Sequence, residues 1–232
     1  MNRMPSGWVA RCALAETVGM TAAAAAARTG DRLVGTPTTT RDSATLISLA
    51  VAGGVVEALA LGAATAGPLR RLAPTLPRRR WIAVTTAVAG LSWAAGMVPA
   101  ALPVQDGASS AGSPALGLIL AGALAIGLGT GALLGAAQAF VLRTHVRHPW
   151  RWCAASTAAW PLPMAVIFAG ASTPDPTWHT WQVLLLAAAT GTVAGTLLGL
   201  VLGRLAPTLT GVRELPGGTS RPVSSAAARS GR

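Results

Sequence analysis

Six apolar runs separated by short polar stretches divide the 232-residue chain. They cover about residues 8–27, 43–67, 81–102, 114–142, 152–171 and 181–206. A helix needs about 20 apolar residues to cross a hydrocarbon core about 30 Å thick, and each run is near that length. The pattern predicts an all-α fold, a six-span transmembrane helical bundle forming one domain over 1–206. The stretch 207–232 is rich in Ser, Gly, Pro and Arg and reads as a disordered cytoplasmic tail.

Several boundaries carry local signals. Arg28 to Asp42 reads as a polar loop, with Asp42 or Ser43 able to cap the second helix. Pro68 to Arg80 reads as a basic turn. Pro103 to Ser113 is a turn holding Asp106, and Ser113-Pro114 suits a helix start, Ser as N-cap and Pro at the first helical position. A second basic turn spans Arg143 to Arg151. Pro161 and Pro163 predict a kink in the fifth run. The first run is also long enough for a signal peptide cleaved within Ala22–Ala27. Arg11 and Glu16 inside its apolar stretch argue against that, and no lipobox precedes Cys12.

Within the runs, small residues recur every fourth position. Gly191, Gly195, Gly199 and Gly203 form one ladder, and Gly127, Gly131, Gly135 and Ala139 a second. Gly54, Ala58, Gly62 and Ala66 form a weaker third. Each glycine inside a helix costs about 1 kcal/mol relative to Ala in water. In lipid the backbone cannot exchange its hydrogen bonds for water, so the helix is enforced and small faces become packing faces. The ladders are expected to meet one another or to lie against helices that open with Trp.

Those Trp-led helices repeat as Trp8-Val9-Ala10, Trp81-Ile82-Ala83 and Trp152-Cys153-Ala154. Leu61-Gly62-Ala63-Ala64 recurs as Leu134-Gly135-Ala136-Ala137, and RLAPTL occurs at 71–76 and 204–209. The implied unit is a ladder helix, a basic turn and a Trp-led helix. Two units are complete. The first run is a Trp-led half without its ladder, and the last is a ladder half without its partner.

Composition sharpens the membrane reading. Charged residues make up 11% of the chain and mean hydropathy is +0.53. The net charge of +11 comes from arginine alone, without lysine, a skew that with abundant Ala looks like a GC-rich bacterial genome. Charge of this kind in loops is what membrane topology requires, so nucleic acid is not an expected partner. Arg3, the two basic turns and the tail share one side in a six-span arrangement. Arg28, Arg32, Arg41, Asp106 and Asp175 fall on the other. The positive-inside rule then puts both termini in the cytoplasm and the chain in the cell membrane. Trp8, Trp81, Trp150 and Trp152 would form an inner aromatic belt, with Trp178 and Trp181 in the outer one. Trp93 and Trp160 fall deeper, where packing is expected.

Glu16 and Glu57 are the carboxylates well inside apolar runs, each near mid-bilayer by a rise of about 1.5 Å per residue. A charge at that depth is costly, which makes an intramembrane acid a functional candidate. Glu57 borders the Gly54–Ala58 rung, with Gln138 on the matching helix as an expected polar neighbour. The alternative is a carboxyl that bonds across helices as structural glue. Ala89 and Trp160 match Glu16, and Thr130 and Ala194 match Glu57, so a repeat-symmetric ion path is not supported. Arg11 is expected to snorkel to the interface. His145, His148 and His179 fall in turns on two sides and cannot form one metal site. Cys12 and Cys153 read as small buried hydrophobes. No nucleophile elbow, phosphate loop or zinc motif is present, so no catalytic residue, cofactor or metal is expected.

The unit Gly-x-x-Glu, Leu-Gly, Leu-Arg, Arg-Trp resembles a group of uncharacterised Ala/Gly/Arg-rich multi-pass membrane proteins of bacteria with internal helix-pair repeats. In that group the position of Gln138 is often Gln ahead of a Leu-Arg end, and Thr65 departs from it in the first unit. The resemblance covers roughly residues 7 to 206 and rests on packing and topology motifs. It implies an integral membrane protein and carries no activity. Two function classes follow: a non-enzymatic structural or partner-binding membrane component, alone or as a homo-oligomer, or a small transporter or channel with a proton or cation site at Glu57.

Overall fold

The computed structural model describes residues 7–101, 115–175 and 177–205, with backbone alone at 97–101. Arg3, the turn holding Asp106, the Ser113-Pro114 start signal and the tail 207–232 lie outside the described residues. Within them the chain is helical, without a strand: α1 (Trp8–Leu33), α2 (Thr40–Leu72), α3 (Arg78–Ala101), α4 (Leu116–Leu142), α5 (Trp150–Ala159), α6 (Pro161–Ala171) and α7 (Thr180–Leu205). Four helical segments are long and apolar enough to cross a membrane: α2, α4, α5 with α6 taken together, and α7. The outward faces are apolar, as at Leu91 (71% exposed) and Leu118 (68%). Glu16, Glu57, Thr65, Thr85, Gln138 and Ser156 are buried. That distribution inverts the usual arrangement of a water-soluble domain.

Several ends differ from the sequence expectation. The loop expected at 28–42 is shorter, because α1 continues to Leu33 and α2 begins at Thr40. Arg28 reaches the carbonyl of Trp178 and pairs with Asp31 at 3.7 Å, while Arg32 reaches Thr180. Charges that read as loop residues thus lie on a helix held against the α6–α7 turn. Gly35, at φ 64, then ends α1 in the left-handed conformation glycine adopts at no steric cost. Thr39, not Asp42 or Ser43, caps α2. Its hydroxyl accepts from the Asp42 N–H, and Asp42 returns the bond to the Thr39 N–H at 2.9 Å, a capping box.

At its other end α2 runs through Pro68, where Gly67 has no Cβ for the ring to meet. Arg70 and Arg71 therefore sit in its last turn, where positive charge complements the helix dipole. The helix expected from Pro114 starts at Leu116, without a side-chain cap. The fifth run breaks at Trp160 into α5 and α6, since neither Pro161 nor Pro163 can donate an intrahelical bond.

The helices form a closed ring of neighbours: α1 beside α2, α2 beside α3, α3 beside α4, α4 beside the α5–α6 rod, that rod beside α7, and α7 beside α1. Each glycine ladder lies on a Trp-led helix. A Cβ on Gly127, Gly131 or Gly135 of α4 would stand 2.6 Å from Pro161 Cα, 2.6 Å from the Ser156 carbonyl and 2.8 Å from Cys153 Cα. On α2, a Cβ on Gly62 would stand 3.3 Å from Ile82 Cα of α3, and Gly54 faces the Trp93 ring. On α7, a Cβ on Gly195 or Gly199 would stand 2.7 Å from Ala13 Cα or 2.9 Å from Val9 Cα. Gly191 meets the Glu16–Thr17 backbone and Gly203 the Trp8 ring. The last ladder helix and the first Trp-led helix, both unpartnered along the chain, therefore pack on each other and close the ring.

The tryptophans that open helices do not form an outward belt. Trp8, Trp81 and Trp152 are buried inside the bundle, whereas Trp150 and Trp181 face out. An indole N–H in an apolar interior needs an acceptor. Trp152 donates to Gln138 Oε1 at 2.7 Å and Trp81 to Thr65 Oγ1 at 3.0 Å, at matching positions of α4 and α2. The matching position on α7 is the apolar Leu202, and there Trp8 donates to the Gly199 carbonyl at 3.0 Å. Trp81 and Trp152 meet edge to face at 5.5 Å.

This end of the bundle also carries Arg11, the arginines of the two basic turns, and Arg204. His145 and Thr75, bonded at 2.8 Å, tie those two turns together. Most of the buried apolar core lies toward this arginine-rich end, including Leu61, Leu134 and Leu198 of the three ladder helices. Toward the other end the core thins to Met20, Ile167 and Ala194 with partly buried neighbours.

Candidate functional site

Where the core thins, α1 and α2 bring two carboxyls together. The loop 34–39 is centred midway between positions 16 and 57, so an antiparallel pair of helices holds Glu16 and Glu57 at one level. Gly19, one turn beyond Glu16, leaves room for the Glu57 stem: a Cβ there would stand 2.6 Å from Glu57 Cβ. On the far side of Glu16, Gly195 of α7 would place a Cβ 2.8 Å from Glu16 Cβ. Three helices thus close on Glu16, which is 1% exposed. Its carboxyl faces that of Glu57, and no N–H or hydroxyl of the other described residues reaches either of its oxygens.

Glu57 is better satisfied. Its Oε2 accepts from the Trp93 indole at 2.9 Å, and that ring occupies the notch Gly54 leaves on α2. Trp93, read from sequence as a packing residue, is therefore a partner of the acid. A signal for this was present: positions 57 and 93 lie equally far from residue 75, in the turn between α2 and α3. Gln138, expected beside Glu57, is elsewhere. It donates to Thr85 Oγ1 at 2.9 Å and accepts from Trp152. Position 138 matches Thr65, two turns nearer the arginine-rich end than Glu57, which is why the two polar groups do not meet.

Glu57 stands in the wall of a cavity of about 290 Å³ between α2, α3, α4 and α6. The lining is mostly apolar, with Trp160, Met164 and Phe168 on one side and Thr130, the α4 residue in register with Glu57, on another. A second cavity, of about 490 Å³, lies between α1, α2, α6 and α7 and reaches Arg28 and Asp31 at the end opposite the arginine-rich one. Trp93, Ile167 and Phe168 belong to both walls and divide the two spaces. Glu16 faces Glu57 from α1, and Cys12 lies one turn from Glu16. The residues of α3, α4 and α6 that line the first cavity include no titratable group. No ion pair to Glu16 or Glu57 occurs among the described residues; the pair found is Arg28–Asp31, at the far mouth.

The remaining candidates stay apart from this pair. Arg11 is exposed at the arginine-rich end. Cys12 is fully buried and free, and Cys153 points its Sγ at the Ala132 carbonyl, 3.5 Å away. His145 sits in a turn, where burial and the neighbouring Arg80 charge push its pKa below the usual histidine value. No group of three or more potential metal ligands occurs among the described residues. Comparison with protein-family models, with curated proteins and with solved structures finds no match to this chain.

Proposed function

We propose a six-span integral protein of the bacterial cell membrane, its arginine-rich end and both termini in the cytoplasm. Four segments of membrane length support this. The other two helices, α1 and α3, lie antiparallel along α2, and α1 along α7 as well, so they share the slab their neighbours would cross. The charge asymmetry between the two ends follows the positive-inside rule. The three ladder-to-Trp pairings support reading the bundle as three pseudo-repeated helix pairs, the third made by the two ends of the chain. The likeness to Ala/Gly/Arg-rich bacterial membrane proteins belongs to the same reading.

Within this frame the protein is a small transporter whose proton or cation site is Glu57. One observation carries the assignment: two buried carboxyls face one another, one of them in a cavity wall, and neither is paired with an arginine among the described residues. Paired like charges in a medium of low dielectric repel strongly, so the pair must hold a proton or attract a cation. Glue alone needs neither the cavity nor the second acid. The chemistry is binding and release, without catalysis or a cofactor. The test is proton flux into proteoliposomes of the purified protein under an imposed membrane potential. Wild type should conduct or exchange protons. Glu57→Gln should fold and lose the flux. A Gln variant matching wild type would end the assignment.

A non-enzymatic structural or partner-binding component, alone or as a homo-oligomer in the bilayer, is the second reading. The closed, bonded Gln138–Thr85–Trp152 cluster favours it. On this reading Glu57→Gln is silent, because an amide still accepts from Trp93. Gln138→Leu is the damaging change, since it orphans two buried groups.

A further inference from the structure

We propose that the Glu57 cavity binds a lipophilic monocation: an ammonium or phosphonium whose charge is wrapped in apolar groups. The inference rests on the transporter reading above and specifies its ligand class. Three features of the cavity select this chemistry. Its one ionisable wall group is the Glu57 carboxyl. Oε2 of that carboxyl is held by the Trp93 indole and so aimed rather than free to rotate. The rest of the wall is largely hydrocarbon and ring, with Trp93, Trp160 and Phe168 together in it.

A well-hydrated cation such as sodium needs several oxygen ligands to replace its water; beside Glu57 this wall has the hydroxyls of Thr85, Ser92 and Thr130, and of these Thr85 is bonded to Gln138 and Ser92 to the Val88 carbonyl. A sugar or other polyol would lose its hydrogen bonds to an apolar lining. An anion would meet a carboxylate. A cation already shielded by its own carbon substituents pays little to leave water, gains apolar contact, and can lie against aromatic faces. The volume of about 290 Å³ is near the lower end for small-molecule sites, which favours a compact cation.

Charge balance follows from the pair. A singly charged ligand neutralises one carboxylate, and the other keeps a proton. Glu16, sealed behind Glu57 and absent from the cavity wall, is the one that keeps it. Ligand and proton therefore compete for Glu57, so a bound cation displaces one proton.

The experiment is equilibrium binding of labelled benzyltrimethylammonium to the full-length protein in detergent, against protein-free micelles as blank. Wild type should bind saturably. Glu57→Gln should weaken binding by about tenfold or more. Ala89→Leu should do the same by filling the cavity, while leaving both carboxyls in place. Neopentylbenzene, of the same shape without the charge, and benzenesulfonate should not compete.

Absence of saturable binding to wild type would overturn the proposal. So would a folded Glu57→Gln protein that binds within about twofold of wild type, or equal competition by benzenesulfonate. If the Gln variant fails to fold, Ala89→Leu decides alone. Glu57-dependent proton flux without cation binding removes the ligand class and leaves the transporter reading. Cation binding without flux removes the transporter reading and leaves the ligand class.

Discussion

The indole of Trp93 donates to Glu57 Oε2 across 2.9 Å from a notch that Gly54 leaves one turn earlier on α2. The acid and its donor are on different helices, and the glycine is what lets the ring reach. Removing the donor leaves a buried acceptor unpaired, which costs about 1–3 kcal/mol. Trp93→Phe should therefore lower detergent thermal stability. Gly54→Ala should do so as well, because its Cβ would overlap the ring. A Gly54→Ala protein that melts with wild type would mean that the ring does not sit in the notch.

The α1–α7 seam offers a second test. A Cβ on Gly195 would stand 2.5 Å from the Cys12 carbonyl and 2.7 Å from Ala13 Cα, and backbone cannot swing aside as a side chain can. Gly195→Ala should cost about 1–3 kcal/mol, and Gly195→Leu more. Ala189 is exposed on the same helix, so Ala189→Leu is the matched control and should be nearly neutral. Equal melting temperatures for Gly195→Leu and Ala189→Leu would show that the ladder is not a packing face.

A pH effect should come from the arginine-rich end. His145 bonds Thr75 across the two turns, and burial together with Arg80 disfavours its charged form. Its pKa is lower folded than unfolded, so the unfolded chain binds more protons below the ordinary histidine value of about 6.5. Stability should be level above that pH and fall as pH drops through and below it. His145→Asn should flatten that fall. The check is melting temperature from about pH 8 to pH 5 for both proteins. Identical slopes would remove His145 as the cause.

Topology can be read directly. Reporter fusions at Arg78 and in the basic turn near Arg147 should be active in cytoplasmic form, and one in the loop 34–39 in periplasmic form. An N-terminus beginning between Ala22 and Gly30 would show that the first helix is removed. That would conflict with the role of α1 in the ring, where it packs on both α2 and α7. A periplasmically active fusion at Arg78 would reverse the proposed orientation.

The sequence by itself determined the all-helical class, the length and apolarity of the main segments, and the kink at Pro161. These depend on local chemistry: where apolar runs begin and end, and which residues lack an N–H. The glycine spacing likewise marked which face of each helix could come close to another, and the two buried acids stood out by depth. What only the tertiary structure decided was partnership. Glu16 and Glu57 are far apart in the chain and met through a loop whose ends the charges of Arg28 and Arg32 had obscured. Trp93 looked like packing until α3 folded back along α2. Gln138 looked like the neighbour of Glu57, but its register sets it two turns away, against Trp152 and Thr85. The Trp-led residues looked like a belt because they sit near run ends. Whether such a ring faces lipid or interior depends on helix rotation, which is fixed by the partner helix. The pairing of the first helix with the last was marked in the sequence only by their complementary halves of the unit, and the fold had to bring them together across nearly the whole chain.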